Sequence, residues 1–187
     1  MRKIIVQLSV SLDGYFEGPE RDISWGMITD EIHRDVNDFV RREIGTFLHG
    51  RVMHELMVNY WPTADQEPDI TEPERDFAGI YREIPKIVYS STYDDTAWNT
   101  SIVREVDPDA VRALKDQPGG DLGLGGVDLM QSFLEYDLVD EWRFYVTPVV
   151  LGAGRRVFPD GVSIPLRLTE TRAFDNGVLL TRYARRA

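Results

Sequence analysis

The hydrophobic and polar positions of this chain switch repeatedly between a strand period and a helix period. Residues 3–10, KIIVQLSV, form an apolar, β-branched run that predicts a buried strand, and the turn signal Asp13-Gly14 follows it. Further along, apolar residues recur at helical spacing, at Ile32, Val36, Phe39, Val40 and Ile44. This spacing predicts an amphipathic helix that is capped by Thr29 or Asp30 and stopped at Gly45.

Strand and helix patterns then alternate up to residue 138. Strands are predicted at 46–50, 86–92, 100–105 and 121–126. Helices are predicted at 51–61, 72–84, 107–117 and 127–138, and prolines at positions 62 and 85 end two of them. The polar stretch 63–73 is predicted to be a surface loop.

The last part of the chain has a different pattern. A long aromatic and β-branched run at 140–152 is followed by two alternating runs that flank the sequence DNG at 175–177. An Asn-Gly pair between alternating runs predicts an antiparallel hairpin. We therefore predict an α/β fold in a single domain over residues 1–187, with a mostly parallel sheet covered by helices and a C-terminal antiparallel hairpin.

The composition narrows the classes of protein to which this chain can belong. Hydrophobic residues make up 42% and charged residues 28% of the 187 positions, as in globular proteins. The net charge of −11 argues against general nucleic-acid binding, because neutralising phosphates supplies most of that affinity. No apolar run approaches the roughly 20 residues of a membrane helix. The short N-terminal apolar run does not resemble a signal peptide, so a cytoplasmic location is expected.

Thiol catalysis, metal binding and serine hydrolysis find no support in the sequence. The chain has no cysteine, which excludes thiol catalysis and thiolate metal sites. Its histidines, His33, His49 and His54, lack metal-binding spacing, so no metal is expected. Serine hydrolysis is not indicated either, because no GxSxG motif is present.

Hydrogen-bond donors follow three of the predicted strands. They are the glycines 123, 125 and 126, the pair Gly50-Arg51, and the hydroxyl run 90–92. In an open α/β sheet, ligands bind outside the carboxyl ends of the strands, and a helix that begins there binds phosphates with its free N–H groups. Each segment also has a structural interpretation, as a tight turn, a solvated arginine or a capping residue. For each segment, the ligand-binding interpretation and the structural interpretation both stay open at this point.

Acids and tryptophans near the first helix are further candidates. Asp30, Glu31 and Asp35 lie early in that helix, where its dipole favours acids, although a buried carboxylate there would instead bind a protonated heterocycle. Trp25 and Trp61 either close the core or flank a ring-shaped ligand.

Taken in order, the segments VSLDG, SW, HGRVMHE, SST, GGVDLMQSFL and DEWRFYVTPVVLGAGRRVFPD resemble the dihydrofolate reductase-like superfamily. The most similar branch is the riboflavin-biosynthesis reductase C-terminal domain with its small stand-alone relatives, and the resemblance covers nearly the whole chain. It implies a three-layer α/β/α fold, a homodimer and an NADPH-dependent oxidoreductase. Such an enzyme transfers a hydride to a C=N or C=O carbon of a small substrate.

The resemblance also implies residue roles. Val10, Asp13 and Gly14 line the nicotinamide. The cofactor phosphates meet two helix starts and a hydroxyl run, formed by Gly50, Arg51, Val52, Met53, Ser90, Ser91, Thr92, Gly125, Gly126, Val127, Asp128 and Leu129. Trp25, Asp30 and His33 face the substrate, with Asp30 as the candidate catalytic acid.

Departures from the family pattern leave the ligands open. Met53 and Tyr93-Asp94 stand where dihydrofolate reductases carry a Thr and an Arg, so NADH remains an alternative to NADPH. Leu124, also a candidate substrate residue, stands where the riboflavin enzymes carry a Glu. A phosphoribosylaminouracil-type pyrimidine and dihydrofolate are both candidate substrates, and a non-catalytic nucleotide- or pterin-binding module is the alternative function.

Overall fold

The computed structural model describes residues 1–186. The strands are β1 (Ile4–Ser11), β2 (Tyr15–Glu17), β3 (Ile44–Gly50), β4 (Lys86–Tyr89), β5 (Thr100–Val103), β6 (Asp121–Gly125), β7 (Glu141–Thr147), β8 (Arg155–Arg156), β9 (Leu166–Ala173) and β10 (Leu179–Arg185). The helices are α1 (Asp30–Glu43), α2 (Arg51–Val58), α3 (Glu72–Glu83), α4 (Pro108–Asp116) and α5 (Val127–Leu134). Short 3-10 turns lie at Pro19–Arg21 and Trp61–Gln66.

The main sheet has the strand order β5-β4-β3-β6-β1-β7-β10-β9. The first six strands pair in parallel, and β10 is antiparallel to both β7 and β9. Strands β2 and β8 form a separate two-stranded ribbon. Because the six parallel strands run in one direction, their carboxyl ends lie along a single edge of the sheet.

Helices cover both faces of this sheet. The alternation of β1 places Ile4 and Val6 in a core cluster with residues of α4 and α5, whereas Ile5 belongs to a second cluster with residues of α1 and α3. A third cluster joins α1 to β7 and β10. The predicted α/β/α fold with its C-terminal hairpin is thus confirmed. Within residues 1–186, no helix combines the length and apolarity needed to cross a membrane.

Several predicted boundaries were wrong. Helix α2 ends at Val58 and not at residue 61. The first part of the loop predicted at 63–73 belongs to the 3-10 turn over 61–66. Helix α5 ends at Leu134 and β7 at Thr147, so both are shorter than predicted. The ribbon of β2 and β8 was not predicted, because strands of two or three residues are too short to show a period.

Gly45 lies inside β3 and does not stop the preceding helix. The helix ends at Glu43, and the pairing of β3 with β6 shifts register between Ile44 and Thr46. At this irregularity the backbones come close, since a Cβ on Gly45 would lie 2.8 Å from the nitrogen of Gly120. Close approach of two strands is therefore the reason for glycine at position 45.

Asp13 joins the turn after β1 to the loop after β7. Its carboxylate accepts hydrogen bonds from the Ser11 hydroxyl at 2.7 Å, the Leu151 amide at 3.1 Å and the Gly152 amide at 2.8 Å. The Ser11 hydrogen bond, with the two amides, lowers the pKa of Asp13 from its ordinary 3.8 to about 2. Gly14 follows with a φ of 86° and completes the turn.

The close backbone approach at Gly45 predicts that an added methyl group lowers stability at this position but not at a glycine with open space around it. We expect Gly45→Ala to lower the free energy of unfolding by about 1–3 kcal/mol through overpacking. Gly79→Ala is the matched control, because a Cβ at this helical position meets no atom within 4 Å. It should raise stability by about 0.5–1 kcal/mol. Urea denaturation measures both, and equal stability of Gly45→Ala and the wild type would contradict the packing argument.

The carboxylate of Asp13 predicts a pH dependence. Because its pKa is lowered in the folded state, its contribution to stability is present above about pH 4 and is lost as the pH falls toward 2. We expect Asp13→Asn to be less stable than the wild type at pH 7, with a difference that shrinks between pH 4 and pH 2. Denaturation series at several pH values test this, and Asp69→Asn, an exposed loop acid, is the control.

Candidate functional site

A cleft of about 530 Å³ lies at the edge of the sheet where β3, β4 and β6 end. It gathers the segments that follow these three strands, which supply eleven of the predicted cofactor-binding residues. They are Gly50, Arg51, Val52, Met53, Ser90, Ser91, Thr92, Gly126, Val127, Asp128 and Leu129. Of the other four, Gly125 lines a neighbouring cavity, whereas Val10, Asp13 and Gly14 line neither space. Val10 is buried in the core, and Asp13 with Gly14 forms the turn described above.

Two helices begin at this cleft without a side-chain cap. Gly50 precedes α2 and Gly126 precedes α5, and neither helix start has a side-chain hydrogen bond. The φ of 93° at Gly126 is a conformation that favours glycine. The free N–H groups and positive dipole ends of both helices therefore suit phosphate groups.

The glycines of β6 have a different role from Gly126. A Cβ on Gly123 would lie 3.2 Å from the Phe47 ring, and one on Gly125 would lie 3.1 Å from the His49 ring. These two glycines let side chains of β3 lie across β6. The structural interpretation of the cluster 123–126 therefore holds, since its first two glycines serve packing and Gly126 serves the turn. Phosphate binding by this segment stays a prediction.

Three arginines border the cleft, and each is paired with a carboxylate. Arg51 contacts Glu55 at 3.1 Å. Arg155, from the small ribbon, contacts Glu17 at 3.3 Å and also Asp128. The cations are thereby held in place beside the two helix starts while their charge is balanced.

The third arginine, Arg104, was missed by sequence reasoning. It donates to the carbonyl oxygens of Ser90 at 3.2 Å and Tyr93 at 2.9 Å, and it pairs with Asp94. The predicted strand at 100–105 included Arg104, but β5 ends at Val103, which pairs with Tyr89 of β4. This register places the arginine beside the hydroxyl run. The signal in the sequence was an arginine at the end of the strand that follows the hydroxyl run 90–92 along the chain.

A smaller cavity of about 80 Å³ adjoins the cleft on the α1 face of the sheet, and Met53 lines both spaces. Its walls are mostly apolar, with an amide from Gln7 and an imidazole from His49. The other lining residues are Val36, Phe39, Val40, Ile44, Phe47, Met57, Phe77, Gly123, Leu124 and Gly125. The larger cleft, which carries hydroxyl, guanidinium and carboxylate groups, thus adjoins a smaller and mostly apolar cavity.

Three of the four predicted substrate residues lie outside both spaces. Asp30 has a side chain that is 49% exposed and lies 3.8 Å from Arg34. Trp25 donates its indole N–H to the carbonyl of Asp22, and His33 packs edge-on against Trp61. Leu124 does line the small cavity, but its side chain is buried in the core cluster of α4 and α5.

The acid of α1 with a largely buried side chain is Asp35, which precedes the cavity-lining residue Val36. Its carboxylate accepts hydrogen bonds from Arg143, from the Tyr145 hydroxyl at 2.8 Å and from Arg172 at 3.1 Å. Arg143 also donates to the Gln7 amide oxygen at 3.1 Å. Sequence reasoning grouped Asp35 with the dipole-favoured acids, because nothing local indicates which acid meets an arginine 108 residues away.

His49 is a neutral group in this setting. Its ring stacks beside that of Phe47 with centroids 5.4 Å apart, and burial lowers its pKa to about 3. Its Nδ1 has no hydrogen-bond partner among residues 1–186. Within the same range, no group of three or more potential metal-ligating side chains is present.

Comparison with known proteins identifies the family and the fold of the chain. A family model for the RibD C-terminal domain matches residues 2–180. The protein YyaP of Bacillus subtilis strain 168, described as uncharacterised, is 33% identical over 184 residues, which cover 97% of this chain and 94% of YyaP.

Two solved structures share the fold. A Shewanella sp. PV-4 protein provisionally assigned to riboflavin biosynthesis has a TM-score of 0.76 with 19% identity, over 99% of both chains. Dihydrofolate reductase from Enterococcus faecalis, complexed with NADP(H) and RAB-propyl, has a TM-score of 0.64 with 14% identity, over 99% of this chain and 97% of that one. The resemblance stated from the sequence is confirmed, and the chain belongs to the RibD C-terminal domain family on a dihydrofolate reductase-like fold.

Proposed function

We propose that the protein is an NAD(P)H-dependent reductase that acts on a small heterocyclic or carbonyl substrate. The observation that carries the proposal is the convergence of three strand ends on one cleft. That cleft joins two uncapped helix starts to three arginines and adjoins a small apolar cavity. A cleft that gathers N–H, hydroxyl and guanidinium donors suits a dinucleotide, whose phosphates need several donors.

The donor chemistry of the cleft fits the cofactor. The helix starts at Arg51 and Val127 would hold the pyrophosphate, and the hydroxyls of Ser90, Ser91 and Thr92 with Arg104 would hold a phosphate on the adenosine ribose. Met53, at the boundary of the two spaces, would lie next to the reactive end. When bound, a reduced nicotinamide supplies a hydride to a C=O or C=N carbon, and the oxygen or nitrogen of that bond takes a proton.

The chain's own contribution to such a reaction is binding and water exclusion. The small cavity is lined by aliphatic, methionine and aromatic side chains, so a ring placed there is shielded from solvent. Placement of that ring next to the cleft converts an encounter of two molecules into a reaction within one complex.

A titration with NADPH tests the cofactor part of this proposal. We expect quenching of the emission of the four tryptophans and energy transfer to the bound cofactor, at micromolar NADPH. An absence of any signal at millimolar NADPH would contradict the proposal. Binding without NADPH oxidation, across pterins, pyrimidines and quinones, would favour a non-catalytic nucleotide-binding module instead.

Arg104 provides a test of cofactor choice. We expect Arg104→Ala to weaken NADPH binding by about 10-fold while leaving NADH binding nearly unchanged, because a half-exposed guanidinium contributes a solvent-screened hydrogen bond to the extra phosphate only. Arg112→Ala, which removes an exposed arginine of α4 that pairs with Asp109, is the matched control. Equal losses for NADPH and NADH would show that Arg104 does not bind the ribose phosphate.

A further inference from the structure

We infer that the small cavity selects an uncharged, planar ring that carries a carbonyl group, and that it rejects rings that bind as cations. This inference rests on the proposed function, since it names the substrate class of the same site. Four features of the cavity support it: a flat floor, two neutral polar groups, internally balanced charges and an adaptable wall.

The floor of the cavity lies over β6 and is formed by two rings of β3. Gly123 and Gly125 present no side chains there, and the rings of Phe47 and His49 lie over them, 3.2 Å and 3.1 Å from where a Cβ would be. The two rings are nearly parallel, with an interplanar angle of 15°. Helix α1 forms the opposite wall with Val36, Phe39 and Val40. A floor made by two nearly parallel rings fits a planar ring better than a branched or saturated one.

Two neutral polar groups flank this floor. His49 of β3 pairs with Gly125 on one side of β6. On the other side, Val6 of β1 pairs with Leu124, so the next residue, Gln7, lies beside Gly125. Arg143 binds the Gln7 amide oxygen and leaves the amide N–H groups to donate. His49 stays uncharged because burial lowers its pKa. Both groups suit a carbonyl oxygen and supply no charge.

The charged groups next to the cavity are already neutralised by one another. Asp35 has its two carboxylate oxygens occupied by Arg143, Tyr145 and Arg172. Arg172 also binds Glu31 at 2.6 Å. A protonated heterocycle needs a carboxylate whose charge is not already matched, whereas Asp35 and Glu31 are matched by Arg143 and Arg172. Removal of Asp35 from Arg143 would leave a buried charge unpaired. A cationic ring is therefore disfavoured.

The wall toward the cleft is adaptable. Met53 and Met57 line the cavity, and the terminal methyl of Met53 would be 3.4 Å from a Cβ on Gly125. Methionine side chains are flexible and repack around ligands. The cavity of about 80 Å³ is thus able to enlarge toward the cleft without movement of the sheet.

The reaction balances for such a substrate. A C–H bond forms at an electrophilic ring carbon, the π electron pair moves to the conjugated carbonyl oxygen, and this oxygen takes a proton from water. The substrate gains two electrons, and the nicotinamide of the proposed cofactor is oxidised. No further reactant is needed.

The test compares two single-ring probes on the wild-type protein by equilibrium dialysis at pH 7.5. Duroquinone is a neutral planar dicarbonyl, and 2,4-diaminopyrimidine is a planar ring that binds to carboxylates in its protonated form. We expect duroquinone to bind at least 10-fold more tightly. Tighter binding of the diaminopyrimidine, equal binding, or no binding of duroquinone at millimolar concentration would each overturn the inference.

Two variants locate the bound ring. We expect Gly125→Ala to weaken duroquinone binding by at least 10-fold, because the added methyl displaces the His49 ring that forms part of the floor. Gly79→Ala, in α3 and outside the small cavity, should bind duroquinone as the wild type does. Thermal unfolding checks that both variants fold, and unchanged duroquinone binding by folded Gly125→Ala would overturn the location.

NADPH affinity, measured separately, distinguishes the two proposals. Loss of duroquinone selectivity with intact NADPH binding overturns the substrate class alone. Absence of NADPH binding overturns the reductase and leaves the probe comparison as a test of the cavity itself.

Discussion

The absence of side chains on one face of β6 is the constraint on which the cleft and the small cavity both depend. Strand β6 lies between β3 and β1, and on the α1 side its two glycines leave room for the rings of Phe47 and His49. At the end of the same strand, Gly126 turns the chain into α5 at the cleft. A larger side chain at positions 123 or 125 would displace these rings, and with them the cavity wall.

Charge in this molecule is arranged in pairs. Arginines at the cleft each have a carboxylate partner in this state, and the buried Arg143 is bound to Asp35. A guanidinium held by an acid is already oriented, so a phosphate of the proposed cofactor would compete for an ordered group and not for a mobile one. The same pairing keeps charge out of the small cavity. The pairing of arginines with carboxylates thus orders cations at the cleft and leaves the small cavity without net charge.

The fold was predictable because it follows from periods along the chain. The helical stripe from Ile32 to Val40, the apolar run of β1 and the Asn-Gly turn each act over a few residues, and local conformation follows them closely. The three donor segments of the cleft were predictable for a related reason. Parallel strands that alternate with helices bring their carboxyl ends to one edge, wherever each strand lies in the sheet.

What the sequence by itself determined was the α/β/α fold, the family and the donor segments after β3, β4 and β6. The tertiary structure decided which side chains meet across those elements. It put Arg104 beside Ser90, placed Asp35 and not Asp30 in a buried network, and made Gly45 a point of strand contact. Strand order, register and helix rotation set these contacts, and all three depend on packing between residues far apart in the chain.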